Sequence, residues 1–367
     1  MIIRPSSLPP LLSKPASVVA VLLSGGVDSA VAAWMLRNSG KKVLAVTMII
    51  PGRGKGETEE AAAIAEFLSL PHYVVEMDRE FRQAVIDPFL QCYLSGKTPN
   101  PCVLCNERLK FGLLWRELED FFGPLSLATG HYARVVGKGG GFALARGIDR
   151  EKDQSYFLSG LSREQLPRLS LPLGDRTKEE VREMARAAAL PAAEKKESME
   201  ICFAGEGDYR ALLEGESTPG FIVDEEGKIL GTHRGILHYT VGQRKGLGIS
   251  SKEGMYVLHL DRERNRVVVG SRERACSRVV SAERVNLLLP EELTAALSLR
   301  GKCRSKGEPA PCTLLVREDR DGGMTVRFDE PQFAPAPGQR LVLYDEEDRV
   351  VAAGDIVEKR EEYKWMD

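Results

Sequence analysis

The chain has 367 residues, of which 43% are hydrophobic and 28% charged, with a formal net charge of −2. That length predicts two or three domains with sizeable cores. The near-neutral balance excludes a global basic field, though a local basic stripe can still serve nucleic acid.

No apolar run approaches the roughly 20 residues of a bilayer span, so no membrane partner is expected. Seven cysteines, an odd number in a long chain, argue against a disulfide framework and for a reducing, cytoplasmic setting. The first stretch, MIIRPSSLPPLLSKPAS (residues 1–17), is broken by prolines and reads as a flexible tail.

Residues 18–23 form a continuous apolar run, the mark of a buried parallel strand. SGGVDS comes next at residues 24–29, and a helix is predicted to run toward Gly40. Strand, glycine turn and helix make an anion cradle, because N–H groups at the helix start face the ligand and glycine admits a phosphate closely. The loop lacks the lysine of the GxxxxGK[ST] nucleotide loop. KKVLAVTMII reads as a second strand, ETEEAAAIAEFLSL as a helix with an acidic first turn, and PHYVVEM as a third strand. A long amphipathic helix is predicted over residues 106–122, then a strand in LSLATGHYARV. Alternating strands and helices predict an α/β domain with a doubly wound parallel sheet, whose ligands bind at the strand carboxyl ends. Gly26, Met48 and Gly130 fall on that rim.

Beyond Gly137 comes a glycine-rich hairpin, a charged loop with Lys152, Asp153 and Gln154, and a helix over residues 177–189. After about Glu214 short β-type runs replace helices, which predicts two small, mainly β domains, the last a β-barrel. The expected divisions are residues 18–212, 213–275 and 276–367.

SGGVDS after the first strand resembles the PP-loop family of ATP pyrophosphatases. TPNPCVLCN, ATGHYAR, KDQSYFL, ICF and HYTVGQRKGLGI occur in the order of its tRNA-specific 2-thiouridylase branch, across about residues 18–357. The resemblance implies ATP-dependent replacement of the C2 oxygen of the tRNA wobble uridine by sulfur, with release of AMP and pyrophosphate. It implies ATP and Mg2+ as cofactors, tRNA of the Lys, Glu and Gln type as partner, and a sulfur donor such as a cysteine desulfurase or sulfur relay protein.

Position by position, it implies that Leu22, Leu23, Ser24, Gly25, Gly26, Val27, Asp28 and Ser29 hold ATP, with Asp28 near magnesium. Met48 is expected on the adenine and Gly130 against the nucleotide. Cys105 matches the nucleophile and Cys202 the persulfide carrier. Asn100, Pro101 and Cys102 match the segment facing the target base, and His131, Lys152, Asp153, Gln154, Arg304, Ser305 and Gln339 match tRNA contacts. The chain departs at Cys102, where aspartate is common, at Ser305, where tyrosine is common, in PGRGKGETEEA, which is shorter than the usual insert, and in ESMEICF, which replaces the usual serine- and glycine-containing lead into ICF.

The three cysteines admit three readings. Cys202 carries a persulfide that Cys105 attacks or resolves, leaving a Cys105–Cys202 disulfide. Alternatively Cys102, Cys105 and Cys202 ligate a [4Fe–4S] cluster. In the third reading, Cys102 is only a small residue near the site. A thiolate at Cys105 would gain from a position at the start of the helix over residues 106–122. Residues 198–212 are expected to order when tRNA binds. Rival functions are a PP-loop ligase or amidotransferase on another substrate, which would need no cysteines, and a non-catalytic RNA-binding sulfur carrier.

Overall fold

The computed structural model describes residues 1–6, 18–52, 55–196, 202–203, 218–250, 254–293, 298–318 and 322–358. The segment 198–212, expected to respond to tRNA, lies outside the described residues except for Cys202 and Phe203. The chain divides into two compact units: Met1–Val85 with Cys102–Gly207, and Ile86–Pro101 with Asp208–Asp367.

The first unit is the expected α/β fold. In chain order it opens with β1 (Ile2–Pro5), β2 (Val18–Leu22), α1 (Val27–Asn38), β3 (Lys42–Ile49), α2 (Lys55–Phe67), β4 (His72–Glu76) and α3 (Asp78–Phe81). After α4 (Asp87–Leu94), which belongs to the second unit, come α5 (Pro101–Leu104), a π-helical stretch Cys105–Leu114 and α6 (Trp115–Phe122). The remaining elements are β5 (Ser126–Ala128), the hairpin β6 (Ala133–Lys138) and β7 (Gly141–Arg146), β8 (Leu169–Ser170) and α7 (Lys178–Ala187).

The sheet order is β1-β4-β3-β2-β5-β8. The chain winds outward from β2 through β3 to β4, then returns to lay β5 on the other side of β2. All these pairings are parallel except that of β1. This reversal opens a crevice above the carboxyl ends of β2 and β5, where open α/β sheets bind ligands. Ala30, Ala32 and Ala33 of α1 are fully buried, so small side chains let α1 lie close to the sheet. Val181 and Ala185 of α7 complete this core. Thr177 starts α7 with a reciprocal capping box to Glu180.

Two expectations need correction. Residues 2–5 are not a loose tail but an antiparallel edge strand on β4. Ile2 and Ile3 suit a strand, and Pro5 sits at its end, where a missing N–H is tolerated. The helix predicted over 106–122 starts earlier, at Pro101, so Cys105 lies beyond the first turn and Cys102 within it. Proline at the first helical position loses no hydrogen bond, since that N–H has no intrahelical partner.

In the second unit, β9 (Gly220–Val223), β10 (Ile229–His233), β11 (Tyr256–Asp261) and β12 (Arg266–Gly270) form a sheet ordered β10-β9-β12-β11. Six further strands close into the expected barrel: β13 (Cys276–Leu287), β14 (Leu299–Lys302), β15 (Ala310–Glu318), β16 (Gly323–Phe333), β17 (Arg340–Tyr344) and β18 (Val350–Ile356). Closure leaves no unpaired edge in the barrel. Residues 86–101 group with this unit rather than with the α/β sheet.

His72 braces the strand ends below the SGGVDS loop. Thr47 Oγ1 donates to the Leu23 carbonyl (2.9 Å), so its lone pair receives His72 Nε2–H at 2.8 Å. His72 Nδ1 then accepts from Ser6 Oγ at 2.8 Å. Burial pushes His72 down to about 4. Between its unfolded pKa of about 6.5 and that value, only the unfolded chain gains the proton, so stability falls as pH falls. We expect His72→Gln to lose less unfolding free energy than the parent between pH 7 and pH 5, by about 2 kcal/mol, in urea titrations at both pH values.

Candidate active site

The carboxyl end of β2 delivers Leu23, whose N–H donates to the Val46 carbonyl at 2.8 Å, and the chain then turns through Ser24–Gly25–Gly26. Gly25 has φ +77°, which favours glycine, and a Cβ there would lie 3.0 Å from the Glu57 carbonyl oxygen and crowd it. The serines of the loop lock it internally. Ser24 N–H donates to Ser29 Oγ (3.1 Å), and Ser29 Oγ donates to the Gly26 carbonyl (3.0 Å).

Gly130, just beyond β5, packs on the start of α1. A Cβ at Gly130 would lie 2.7 Å from the Asp28 carbonyl carbon and 2.9 Å from the Ser29 nitrogen. ATGHYAR is therefore not one strand, as the sequence predicts. β5 ends at Ala128, and the residues after it form the wall facing the loop.

Two adjoining concavities share this loop. The first, about 240 Å³, is lined by Leu22, Leu23, Ser24, Asp28, Ser29, Met48, Gly130, His131 and Gln154, with the thiols Cys105 and Cys202 and the ammonium group Lys110. The second, about 270 Å³, is lined by Ser24, Gly26, Val27, Asp28, Glu57, Tyr132 and Gln154, with four lysines: Lys152, Lys178, Lys195 and Lys196. An apolar and thiol-bearing pocket thus opens beside a lysine-rich one, with Ser24, Asp28 and Gln154 common to both.

Asp28 is firmly held. Lys178 Nζ donates to both carboxylate oxygens, at 2.7 and 2.8 Å, and Tyr132 O–H donates to Oδ1 at 2.8 Å. Lys195 Nζ donates to the Gly25 carbonyl at 3.4 Å and pairs with Glu60. Sequence reasoning does not find Lys178, Lys195, Lys196, Tyr132 or Glu57. Lys178 carries one signal: it is a cation in the first turn of a helix, where the dipole disfavours positive charge.

Around the thiols the charges are ordered by Lys110, whose Nζ donates to Asn106 Oδ1 at 3.1 Å. Asn106 is buried and donates in turn to the Phe157 carbonyl at 3.0 Å. His131 Nδ1 bonds Thr129 Oγ1 at 2.7 Å, and burial, then the Lys110 charge, pushes the ring down to about 3. It is therefore neutral at physiological pH. Cys105 is buried, Cys102 and Cys202 reach solvent, and none of the three is in a disulfide. Surrounding protein that desolvates its thiolate pushes Cys102 up to about 11, even though part of the side chain is exposed; Lys110 pulls the other way. Cys102 is not among the residues lining either concavity.

The remaining predicted residues separate into two groups. Asp153 is buried: Arg146 Nε donates to its Oδ2 (3.2 Å), and Gly147 N and Ser155 N donate to its Oδ1 (3.1 and 3.0 Å). Its observed work is to shape the loop that presents Lys152 and Gln154. Gln154 Oε1 accepts from Tyr132 N at 3.0 Å. Asn100, Pro101, Arg304, Ser305 and Gln339 lie in the second unit. There Arg304 donates to the Ala334 carbonyl at 2.7 Å and stacks over Phe333 at 5.2 Å. Ser305 sits next to it in the loop between β14 and β15.

For a magnesium ion the donor chemistry fits. Asp28 and Glu57 offer hard carboxylate oxygens beside the lysine-rich pocket, and magnesium is commonly held by one or two carboxylates plus substrate phosphates. For an iron–sulfur cluster the structure gives no support: among the described residues no group of three or more His, Cys, Asp or Glu side chains is placed to hold a metal ion.

Fold and site together define a PP-loop-type nucleotide-binding α/β unit joined to β domains. Three family models account for most of the chain: the tRNA methyl transferase HUP domain over residues 17–206, the tRNA methyl transferase PRC-barrel domain over 213–271 and the aminomethyltransferase beta-barrel domain over 277–356. The tRNA-specific 2-thiouridylase MnmA of Syntrophotalea carbinolica is 45% identical, covering 92% of this chain and 98% of its own. That of Koribacter versatilis is 41% identical over the same shares, and that of Desulforudis audaxviator 43% over 93% and 98%. The chain belongs to the tRNA-specific 2-thiouridylase MnmA family.

The Gly130 contact yields a test. Gly130→Ala must push the α1 start away from β5, and we expect nucleotide affinity to fall about tenfold or more with the unfolding midpoint changed far less. Calorimetric titration with ATP beside thermal unfolding of the same preparations checks this.

Proposed function

We propose that the protein is a tRNA-uridine 2-sulfurtransferase that uses ATP to activate the wobble uridine of tRNA and then installs sulfur at C2. One observation carries the reading: a single pocket is lined by the SGGVDS loop, Met48 and Gly130 together with the thiols Cys105 and Cys202. A nucleotide-activating loop and a pair of sulfur nucleophiles meet in one concavity. Family membership supports the same conclusion, and the paired thiols agree with the relatives' thiouridylase names rather than with the methyltransferase label of two family models.

The chemistry builds on what the residues offer. The C2 oxygen of uridine is a poor leaving group. Its attack on the α-phosphorus of ATP breaks the bond to pyrophosphate, with loss of the N3 proton, and turns that oxygen into a phosphate ester. Loop N–H groups and the lysines 152, 178, 195 and 196 stabilise the charge collecting on pyrophosphate. A magnesium ion held by Asp28 and Glu57 would supply further charge neutralisation. Tyr132 and Lys178 keep the Asp28 carboxylate oriented. Met48 gives the adenine an apolar wall.

Sulfur enters in the second half. The terminal sulfur of a persulfide on Cys202 attacks C2, and AMP leaves with the former uridine oxygen. The Cys105 thiolate attacks the Cys202 sulfur and breaks the S–S bond. That electron pair stays on the sulfur now bound to C2, and a Cys105–Cys202 disulfide remains. A dithiol reductant restores both thiols, and a donor of sulfane sulfur reloads Cys202. Lys110, lining the same pocket, offers a positive charge to a reacting thiolate. His131, neutral and fixed by Thr129, offers a hydrogen bond to the extruded base. Arg304 and the barrel surface supply contacts to the RNA backbone.

A ligase or amidotransferase acting on another substrate would leave Cys105 and Cys202 without a purpose in the nucleotide pocket. The decisive experiment measures pyrophosphate release and thionucleoside formation separately. Release should require tRNA. Cys105→Ser and Cys202→Ser should keep it while thionucleoside formation falls by about a hundredfold or more. A Cys105→Ser/Cys202→Ser protein that still makes thionucleoside at the parental rate overturns the proposal.

A further inference from the structure

Gln339 stands at the turn entering β17, in the unit that also holds residues 86–101. Its Nε2 donates to two main-chain carbonyls, those of Thr98 (3.1 Å) and Pro99 (3.0 Å). Its Oε1 faces Asn100 Nδ2 at 3.5 Å. A carboxamide nitrogen has two N–H groups, so both donors are committed to this segment. The main chain adds a further tie, from Thr98 N–H to the Pro337 carbonyl at 2.7 Å. Gly338 has φ +87°, and a Cβ there would lie 2.9 Å from the Thr98 carbonyl oxygen and 3.0 Å from Cys92 Sγ. The turn is anchored to the barrel by hydrogen bonds from Gly338 N to the Ile356 carbonyl (2.8 Å) and from Ile356 N to the Gln339 carbonyl (2.7 Å).

The segment Thr98–Pro99–Asn100 cannot organise itself. Pro99 and Pro101 have no N–H, and each holds the residue before it in extended backbone, so the strap has carbonyls but few donors. It runs without interruption into α5, which carries Cys102, and on to Cys105.

We infer that Gln339 is a positioning residue: its carboxamide, with Gly338 beside it, clamps the 98–100 strap and thereby fixes where the thiol-bearing helix begins. The inference deepens the proposed sulfur transfer and rests on that reading for its catalytic consequence. It assigns Gln339 a role through the protein: an RNA contact made by its N–H groups would have to break the two carbonyl bonds.

The test uses the full chain without RNA first. Gln339→Met, similar in length and volume, removes the donors; Gly338→Ala disturbs the same clamp with no side chain able to recognise RNA. Both variants should raise hydrogen exchange at the amides of Thr98 and Asn100 and the alkylation rate of the exposed Cys102 by about tenfold, with exchange across the barrel strands unchanged. The double variant should match either single one, because the two residues act on one contact. With tRNA, single-turnover thionucleoside formation should fall about tenfold while tRNA affinity stays within about twofold. Lower tRNA affinity for Gln339→Met, with strap exchange and Cys102 alkylation at parental values, overturns the inference in favour of a direct RNA contact. Unchanged exchange in both variants overturns it as well. The RNA-free readouts decide the clamp even if the parent forms no thionucleoside, which would sink only the proposed function.

Discussion

The close approach of Gly130 to the first turn of α1 sets the geometry of the α/β unit. Only hydrogen fits there, and the absence of a side chain lets the backbone after β5 seat directly against the backbone of Asp28 and Ser29. The sheet makes this possible by reversing direction between β3 and β5 on either side of β2. The two walls of the crevice are consequently main chain, whose position varies far less than that of flexible side chains. Side chains fill in the chemistry afterwards: serine hydroxyls on one wall, His131 and Gln154 on the other, thiols at the margin.

Charge is distributed around the same two walls. Lysines collect on the side where Gly26 and Val27 line the crevice, while Asp28 is bracketed by an ammonium group and a phenol. A carboxylate so bracketed does not repel an incoming polyphosphate as a bare one would. Lys110 is the cation lining the thiol pocket, and its influence reaches both His131 and Cys102. One ammonium group thus adds to the burial that keeps the imidazole neutral, and it opposes the burial that holds the Cys102 thiol protonated.

Much of the fold is legible in the residues. The apolar run of β2, the glycines after it and the alternation of strand and helix point to a parallel sheet with a ligand at its carboxyl rim, and the described strands agree. The loop and Met48 are found from that geometry and from resemblance. Legibility fails where partners are far apart in the chain. Lys178 and Asp28 are 150 positions apart, and Gln339 and Thr98 are 241 apart. No local pattern announces such pairs. The helix start misleads for a local reason: Pro101, which is tolerated at a first helical position, begins the helix five residues before the amphipathic pattern is read. Asp153 looks solvent-facing because charged residues surround it in sequence, yet Arg146 and three local donors internalise it.

The π-helical winding of Cys105–Leu114 makes the placement of the Cys105 thiol sensitive to chain length in that span. Such turns are wider than α turns and rarely persist for ten residues. Gly112 permits a close approach within this one: a Cβ there would sit 2.8 Å from the carbonyl oxygen of Glu107, five residues back, which is the partner that π winding brings near. A single residue more or less in this span rotates everything before it relative to everything after it. Angular phase, rather than distance along the chain, determines whether Cys105 faces the nucleotide loop. Insertions and deletions within this span would rotate the Cys105 thiol away from that loop.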